Sequence, residues 1–459
     1  MDKKSIKLIP AIIATGIMSF AGVLIETAMN VTFPTLIQEF GVTTGQVQWV
    51  TTIYLLVISI LVPFSNYLLK KFSIRSLFIV ANLFFIVGLV IDFFALNFPM
   101  LLAGRLLQGI STGIALPLMF HIILTFTTID KRGTMMGIGT MTTSIAPAIG
   151  PTYGGLLTSN LSWHYIFLLL IPVLSVSLII GLFAIPEIKV TSDSRLDIVG
   201  LAGVMLLFTG FLMFLNQIHE WQSLFWLAVG IVGLCIFYYQ STHAKEPLVR
   251  LTVLKQQSFR LFLIGFLVCQ ALLLGVSFVL PNFVQIVLGE NAFVAGLIML
   301  PGAAIGAILA PFSGNLLDRV GSKKPILIGL TLAIIGWAAL TLILQKPLLL
   351  TLVIGHVTYM IGIGLSYSNM MTTGMNHIQS ADYGDGNTLF NTLQQFSGAV
   401  STAVVATIIG IAQANNPDTV AATTTGSEIS MILLLVAVVA IMIRYVFYFR
   451  KVEASKKSI

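Results

Sequence analysis

The sequence predicts an all-α polytopic membrane protein built from two related halves, and three observations carry that reading. Of 459 residues, 57% are hydrophobic and only 9% charged, with a mean hydropathy of +0.99; a soluble domain carries roughly 25% charged residues. The apolar residues gather into fourteen stretches, each close to the roughly 20 residues a helix needs to cross a bilayer. None alternates apolar and polar positions as a barrel strand would. Finally, Pro63-Phe-Ser-Asn-Tyr-Leu-Leu-Lys-Lys-Phe-Ser-Ile-Arg75 and Pro311-Phe-Ser-Gly-Asn-Leu-Leu-Asp-Arg-Val-Gly-Ser-Lys323 read as copies 248 positions apart. Phe-Pro34-Thr-Leu-Ile-Gln38 echoes Leu-Pro281-Asn-Phe-Val-Gln285 at nearly the same offset. Two echoes in register point to a duplicated chain.

In order, the stretches fall near 8–33, 46–69, 76–97, 99–126, 134–158, 163–185, 198–216, 222–240, 259–288, 294–317, 325–344, 347–374, 389–413 and 429–449. The first is too long for a removable signal peptide and lacks the small-residue cleavage site of one. Six stretches make an N-terminal half, 1–186, and six make a C-terminal half, 259–450, followed by a tail at 451–459. Two extra helices with their linkers occupy 187–258 and join through Gln217-Ile-His-Glu-Trp221. They hold almost no intramembrane polar residue and are expected to pack or to face lipid. Gln413 to Glu428, rich in Ala, Thr and Asn, reads as an unstructured loop.

The basic residues orient the chain. With the amino terminus cytoplasmic, inner segments hold Lys3, Lys4, Lys7, Lys70, Lys71, Arg75, Lys131, Arg132, Lys189, Arg195, Lys245, Arg250, Lys255, Arg319, Lys323, Lys324, Arg450, Lys451, Lys456 and Lys457, while outer turns hold only Lys346. This is the positive-inside pattern for an even number of spans with both ends cytoplasmic. The net charge of +7 therefore reflects topology and not nucleic-acid binding, which would need a basic soluble domain. Cys235 and Cys269 form no metal spacing, no nucleotide-binding Gly-x-x-x-x-Gly-Lys-Ser/Thr is present, and no cofactor is expected. Energy must come from an ion gradient or from a solute's own gradient, as in a secondary transporter of two halves.

Polar residues inside a membrane are costly, so each one there is a functional candidate. Glu26, in the outer half of the first stretch, is the candidate proton carrier, because a carboxyl in a low-dielectric cavity is suited to gaining and losing a proton. The bland alternative is a carboxyl paired or protonated for structure. Arg105 lies in Gly104-Arg-Leu-Leu-Gln-Gly109-Ile-Ser-Thr-Gly113 and needs a partner, for which both Glu26 and Asp92 stand at suitable depth. Gly104, Gly109 and Gly113 are spaced for close helix approach. His356 occupies nearly the repeat position of Arg105 and is a weaker titratable candidate. Asn30, Trp49, Tyr54, Gln108, Asn391 and Gln395 are candidates to line a substrate cavity. Ala146-Pro-Ala-Ile-Gly150-Pro151-Thr-Tyr-Gly154-Gly155 breaks the helix ladder, as either a gate helix or a static kink would.

Together these stretches resemble the major facilitator superfamily, specifically its fourteen-helix branch of drug:proton antiporters, over nearly the whole chain. Asp318-Arg-Val-Gly-Ser-Lys-Lys324 is similar to the loop that locks the cytoplasmic side, which assigns gating to Asp318 and Arg319. Gly104-Arg-x-x-Gln-Gly is similar to the proton-coupling motif, and Gly150-Pro-x-x-Gly-Gly155 to the antiporter signature. Gln48-Trp49-Val and Asn391-Thr-x-x-Gln-x-x-Gly398 also match. The first-half loop departs from the pattern, with Lys70 in place of Asp and Asn66 and Ser73 in place of Gly, and Ala146 replaces the usual leading Gly. Glu26 stands eight positions before Pro34, where nine is common. The resemblance implies a monomeric cell-membrane exporter that exchanges lipophilic, cationic compounds for protons. Export of a native metabolite or lipid, solute symport, and a non-transporting sensor or enzyme are the rivals.

Overall fold

The computed structural model describes residues 7–42, 44–47, 49–187, 196–216, 221–244, 247–290 and 292–457. Lys3, Lys4, Gln48, Lys189, Arg195, Lys245 and the turn at 217–220 lie outside the described residues, as do the side chains of Asn30, Pro34 and Asn66. From the amino end the helices are α1 (Leu8–Asn30), α2 (Phe33–Phe40), α3 (Thr44–Val47), α4 (Trp49–Lys71), α5 (Ile74–Phe93), α6 (Phe98–Phe126), α7 (Arg132–Asn160), α8 (Tyr165–Leu168) and α9 (Leu170–Ala184). They continue as α10 (Ile198–Asn216), α11 (Ser223–His243), α12 (Gln257–Ile286), α13 (Ala292–Val320), α14 (Lys323–Ile343), α15 (Leu349–Asn376), α16 (Tyr383–Asn415) and α17 (Thr419–Lys457). Among the described residues eleven helices are long and apolar enough to cross a membrane, with shorter apolar helices at Trp49–Ser65 and Ile198–Phe214.

Local chemistry fixes the helix ends. Ser73 caps α5 by accepting from the Ser76 amide at 3.1 Å, and Asn97 caps α6 by accepting from the Met100 amide at 2.9 Å. The repeat partner of Ser73 is Gly321, whose φ of +80° is a left-handed turn that glycine adopts at no steric cost. The duplicated loop thus turns in two different ways. Within Gln413 to Glu428 only residues 416–418 are non-helical. The α16 helix runs to Asn415, and Asp418 caps α17 by accepting from the amides of Val420 and Ala421 at 3.0 and 3.1 Å. Thr423, Thr424 and Thr425 return their hydroxyls to carbonyls one turn back, so a polar, Ala/Thr-rich segment stays helical despite its low hydropathy.

The chain divides into two compact units. The first comprises residues 1–127, 149–256 and 378–395. In it α6 packs on α1, α4 and α5. Asn82 donates to Ser177 Oγ at 3.1 Å and Ser177 donates to the Ala14 carbonyl at 2.7 Å, which ties α5, α9 and α1 together. The α10–α11 hairpin belongs to this unit. Its helices meet through glycines, with Gly203 and Gly210 of α10 facing Phe237 and Gly230 of α11 so closely that side chains there would collide. Outward it exposes Val199, Leu224, Phe225, Val232 and Tyr239, as expected for lipid contact. Asp197 closes its base by accepting from Gly200 N at 2.7 Å, Gln240 Nε2 at 3.1 Å and Leu248 N at 3.4 Å.

The second unit comprises residues 128–148, 257–377 and 396–459. Here α15 packs on α12, α13 and α14, and α17 packs on α12 and α14. Trp337 is fully buried and donates to the Met431 carbonyl at 2.8 Å, joining α14 to α17. Lys323 and Glu453 form an exposed ion pair at 2.6 Å, of a kind worth at most about 1 kcal/mol.

Candidate functional site

The polar residues of the first unit converge along the seam between α5 and α6. Gly88 and Asp92 stand one turn apart on α5, and Gly104 and Gln108 one turn apart on α6, so each helix presents a small residue followed by a polar one. A side chain at Gly88 would come within 2.8 Å of the Gly104 carbonyl, and one at Gly104 would collide with Asp92 Oδ1. The missing side chains let the backbones meet and bring Gln108 Nε2 within 2.7 Å of Asp92 Oδ2. Gly109 and Gly113 do the same toward α4, against Tyr54, Val57 and Leu61. The spacing of the three glycines anticipates this.

Arg105 is fully buried beside that amide. Its Nη1 donates to Gln108 Oε1 at 2.8 Å and its Nε to the Val50 carbonyl at 3.0 Å. Its guanidinium lies over the Tyr54 ring, 4.2 Å from the centroid, a contact that adds roughly 0.5–2 kcal/mol when desolvated. Tyr54 in turn donates to Thr112 Oγ1 at 2.9 Å, and Gly22 of α1 abuts that pair. Glu26, partly buried on α1, lies within electrostatic reach of both Arg105 and Tyr54. Among the described residues neither Glu26 nor Asp92 makes a direct ion pair with the guanidinium. Next to Glu26, Thr27 and Ala28 receive Gly150 and Gly154 of α7, where side chains would collide with Thr27 Oγ1 and the Ala28 carbonyl. The Pro/Gly segment does not interrupt α7, which stays helical from Arg132 to Asn160, and its glycines lay that helix on the turn that carries the acid. Nothing lies within 4 Å of a side chain placed at Gly155, and Pro151 is partly buried.

The other residues singled out in the sequence have partners of their own or are exposed. Trp49 is exposed and Gln395 partly buried. Asn391 donates to Asn387 O at 2.8 Å and to its Oδ1 at 2.7 Å, and Asn387 donates to the Pro117 carbonyl at 3.0 Å, so these amides join α16 to α6. His356 is buried in the second unit, its Nδ1 against Gly302 and without a hydrogen-bond partner. Asp318 of α13 caps α7, accepting from Gly133 N, Thr134 N and Thr134 Oγ1, each at 3.0 Å. Arg319 is exposed, as are Lys70 and Lys71 in the first copy. Sequence reasoning missed Gly88, Thr112 and Gly22. The repeated small-x-x-x-polar spacing of Gly88–Asp92 and Gly104–Gln108 is the signal that would have found the first.

A family model described as Major Facilitator Superfamily matches residues 15–197 and 194–402. The chain belongs to the major facilitator superfamily. Within this superfamily it is 35% identical over 415 residues to the lincomycin resistance protein LmrB of Listeria innocua serovar 6a, covering 89% of this chain and 88% of the relative. LmrB of Bacillus subtilis is 33% identical over 421 residues, covering 90% and 88%. The fold is that of the human organic anion transporter MFSD10 (TETRAN), with a TM-score of 0.66 at 14% identity, covering 94% of this chain and 99% of that one. Superfamily membership makes the chain a multi-pass membrane transporter and not an enzyme.

Proposed function

We propose that the protein is a drug exporter driven by inward proton flow, with Glu26 as the proton-carrying residue and Arg105 as its fixed counter-charge. The observation that carries this reading is the placement of a partly buried carboxyl in electrostatic contact with a fully buried guanidinium. The resistance proteins among its relatives, named for lincomycin, support export of drugs. The reading includes fourteen crossings with both termini cytoplasmic, two six-helix halves around a central cavity, a monomeric carrier, and lipophilic cations as preferred cargo. An acid in a low-dielectric cavity gains several-fold more from a cation than it would in water. One proton falling through 100 mV releases about 2.3 kcal/mol, enough for about a fortyfold gradient of a neutral compound. Exchange of one proton for a monovalent cation moves no net charge, so the pH gradient alone drives it.

The deciding experiment is drug accumulation in proteoliposomes under an imposed pH step. Glu26→Gln is expected to abolish it while inserting and folding normally; accumulation equal to that of the parent would sink the assignment. Pairing each cationic dye with a neutral isostere tests cargo charge, the cation being the stronger competitor at pH 7.

A further inference from the structure

Arg105 uses its donors unevenly. Nε and Nη1 are bonded, to Val50 and Gln108, while Nη2 is buried without a hydrogen-bond partner. Asp92 is half used in the same way: Oδ2 accepts from Gln108, and Oδ1 is buried without a partner. A buried guanidinium and carboxylate one amide apart would gain most from a direct two-bond fork. Instead the amide stands between them, its oxygen toward the cation and its NH2 toward the anion. The absent side chain of Gly88 leaves room for the Gln108 Cγ, which a methyl there would meet at 2.9 Å.

We propose that Gln108 is a positioning residue that holds Arg105 off Asp92, so that Nη2 stays open to the Glu26 carboxylate. The proposal rests on the reading of Glu26 as the proton-carrying residue. Ionised Glu26 takes Nη2, and protonated Glu26 releases it. The guanidinium stays anchored throughout by Val50, Tyr54 and Gln108. A fork from Asp92 would occupy both terminal nitrogens and cancel the charge to which Glu26 responds. The groups facing this guanidinium are Glu26 from α1, Tyr54 from α4 and Asp92 from α5, while α7 meets α1 with the uncharged Gly150 and Gly154.

Carbodiimide labelling of the purified full-length protein, quantified by peptide mass spectrometry at pH 7, tests this directly, because the reagent modifies protonated carboxyls in apolar surroundings. Gln108→Glu sets a carboxylate against Nη1, and Glu26 labelling per folded molecule should rise, by up to about threefold for each half pH unit gained in proton affinity. Gln108→Met keeps the volume but frees Asp92 to reach Arg105, and labelling should rise again. The double variant D92N/Q108M, which leaves no acid to clasp the guanidinium, should return to the parent level. A merely structural role for Gln108 would lower yield and melting temperature without changing labelling per folded molecule. Equal labelling in the parent, Q108E and Q108M overturns the proposal. The readout needs no transport: absence of drug-induced proton release in the parent would sink the functional reading, and the labelling would still decide the role of Gln108.

Discussion

At Gly104 an absent side chain does the positioning. Asp92 Oδ1 occupies the space that a methyl group would fill, so the carboxylate, the bridging amide and the α5–α6 distance depend on one another. Gly104→Ala should therefore destabilise the protein by about 1–3 kcal/mol, the usual cost of overpacking, read as a lower melting temperature in detergent. Gly155→Ala is the matched control. Nothing lies near it, and the gain in helix propensity, up to about 1 kcal/mol, should leave stability equal or higher. The residues of this seam were legible in the sequence as costly polar groups in apolar stretches. The place of Gln108 between Asp92 and Arg105 was not, because an amide's partners depend on the register between two helices, and the spacing along one chain does not encode it.

Among the helices, α7 shows how an acid in one element can set the end of another. Asp318 satisfies two backbone amides of its first turn and lies at the positive end of the helix dipole. Gly133 and Gly137 bring that turn against Gly314 and Ala310 of α13. Asp318→Ala removes a cap worth roughly 0.5–2 kcal/mol. Hydrogen exchange across residues 132–136 should accelerate, and Lys70→Ala should leave it unchanged; acceleration by both would remove the distinction between the two copies of the loop. Most helix positions could be read from hydropathy. Residues 419–428 could not: Asp418 caps the segment and its Thr hydroxyls are satisfied within the helix, but no apolar stripe marks it.

Across the molecule, the charged residues of the seam sit in one of the two units. Glu26, Asp92 and Arg105 all belong to the first. The second holds His356, packed on Gly302 with its ring centroid 6.1 Å from that of Tyr359. The second unit buries ionisable groups of its own, Arg132 and His356, but the clustered acids and guanidinium of the seam lie in the first. His356→Gln should therefore leave drug-induced proton release at the parent level, where Glu26→Gln removes it. A loss equal to that of Glu26→Gln would place part of the coupling in the second unit. The difference between the two units could not be read from the internal echo, because it rests on which neighbours each ionisable group meets in three dimensions.

The base of the α10–α11 hairpin has a consequence for how such a chain can be assembled and altered. Asp197 at its entrance bonds the backbone of Leu248 at its exit, so the polypeptide leaves the module where it entered. A segment with adjoining ends, an internal glycine seam and an exposed apolar outer surface behaves as a cassette: it can be gained or lost in one event without rerouting the rest, as domain insertions do where chain ends meet. Removing residues 197–247 and bridging the gap with a short linker should give a protein that inserts and resists proteolysis, weakened by the lost packing of α10 on α4 and of α11 on Leu251–Lys255. Failure of that shortened chain to insert would mean that the hairpin has become part of the scaffold it was added to.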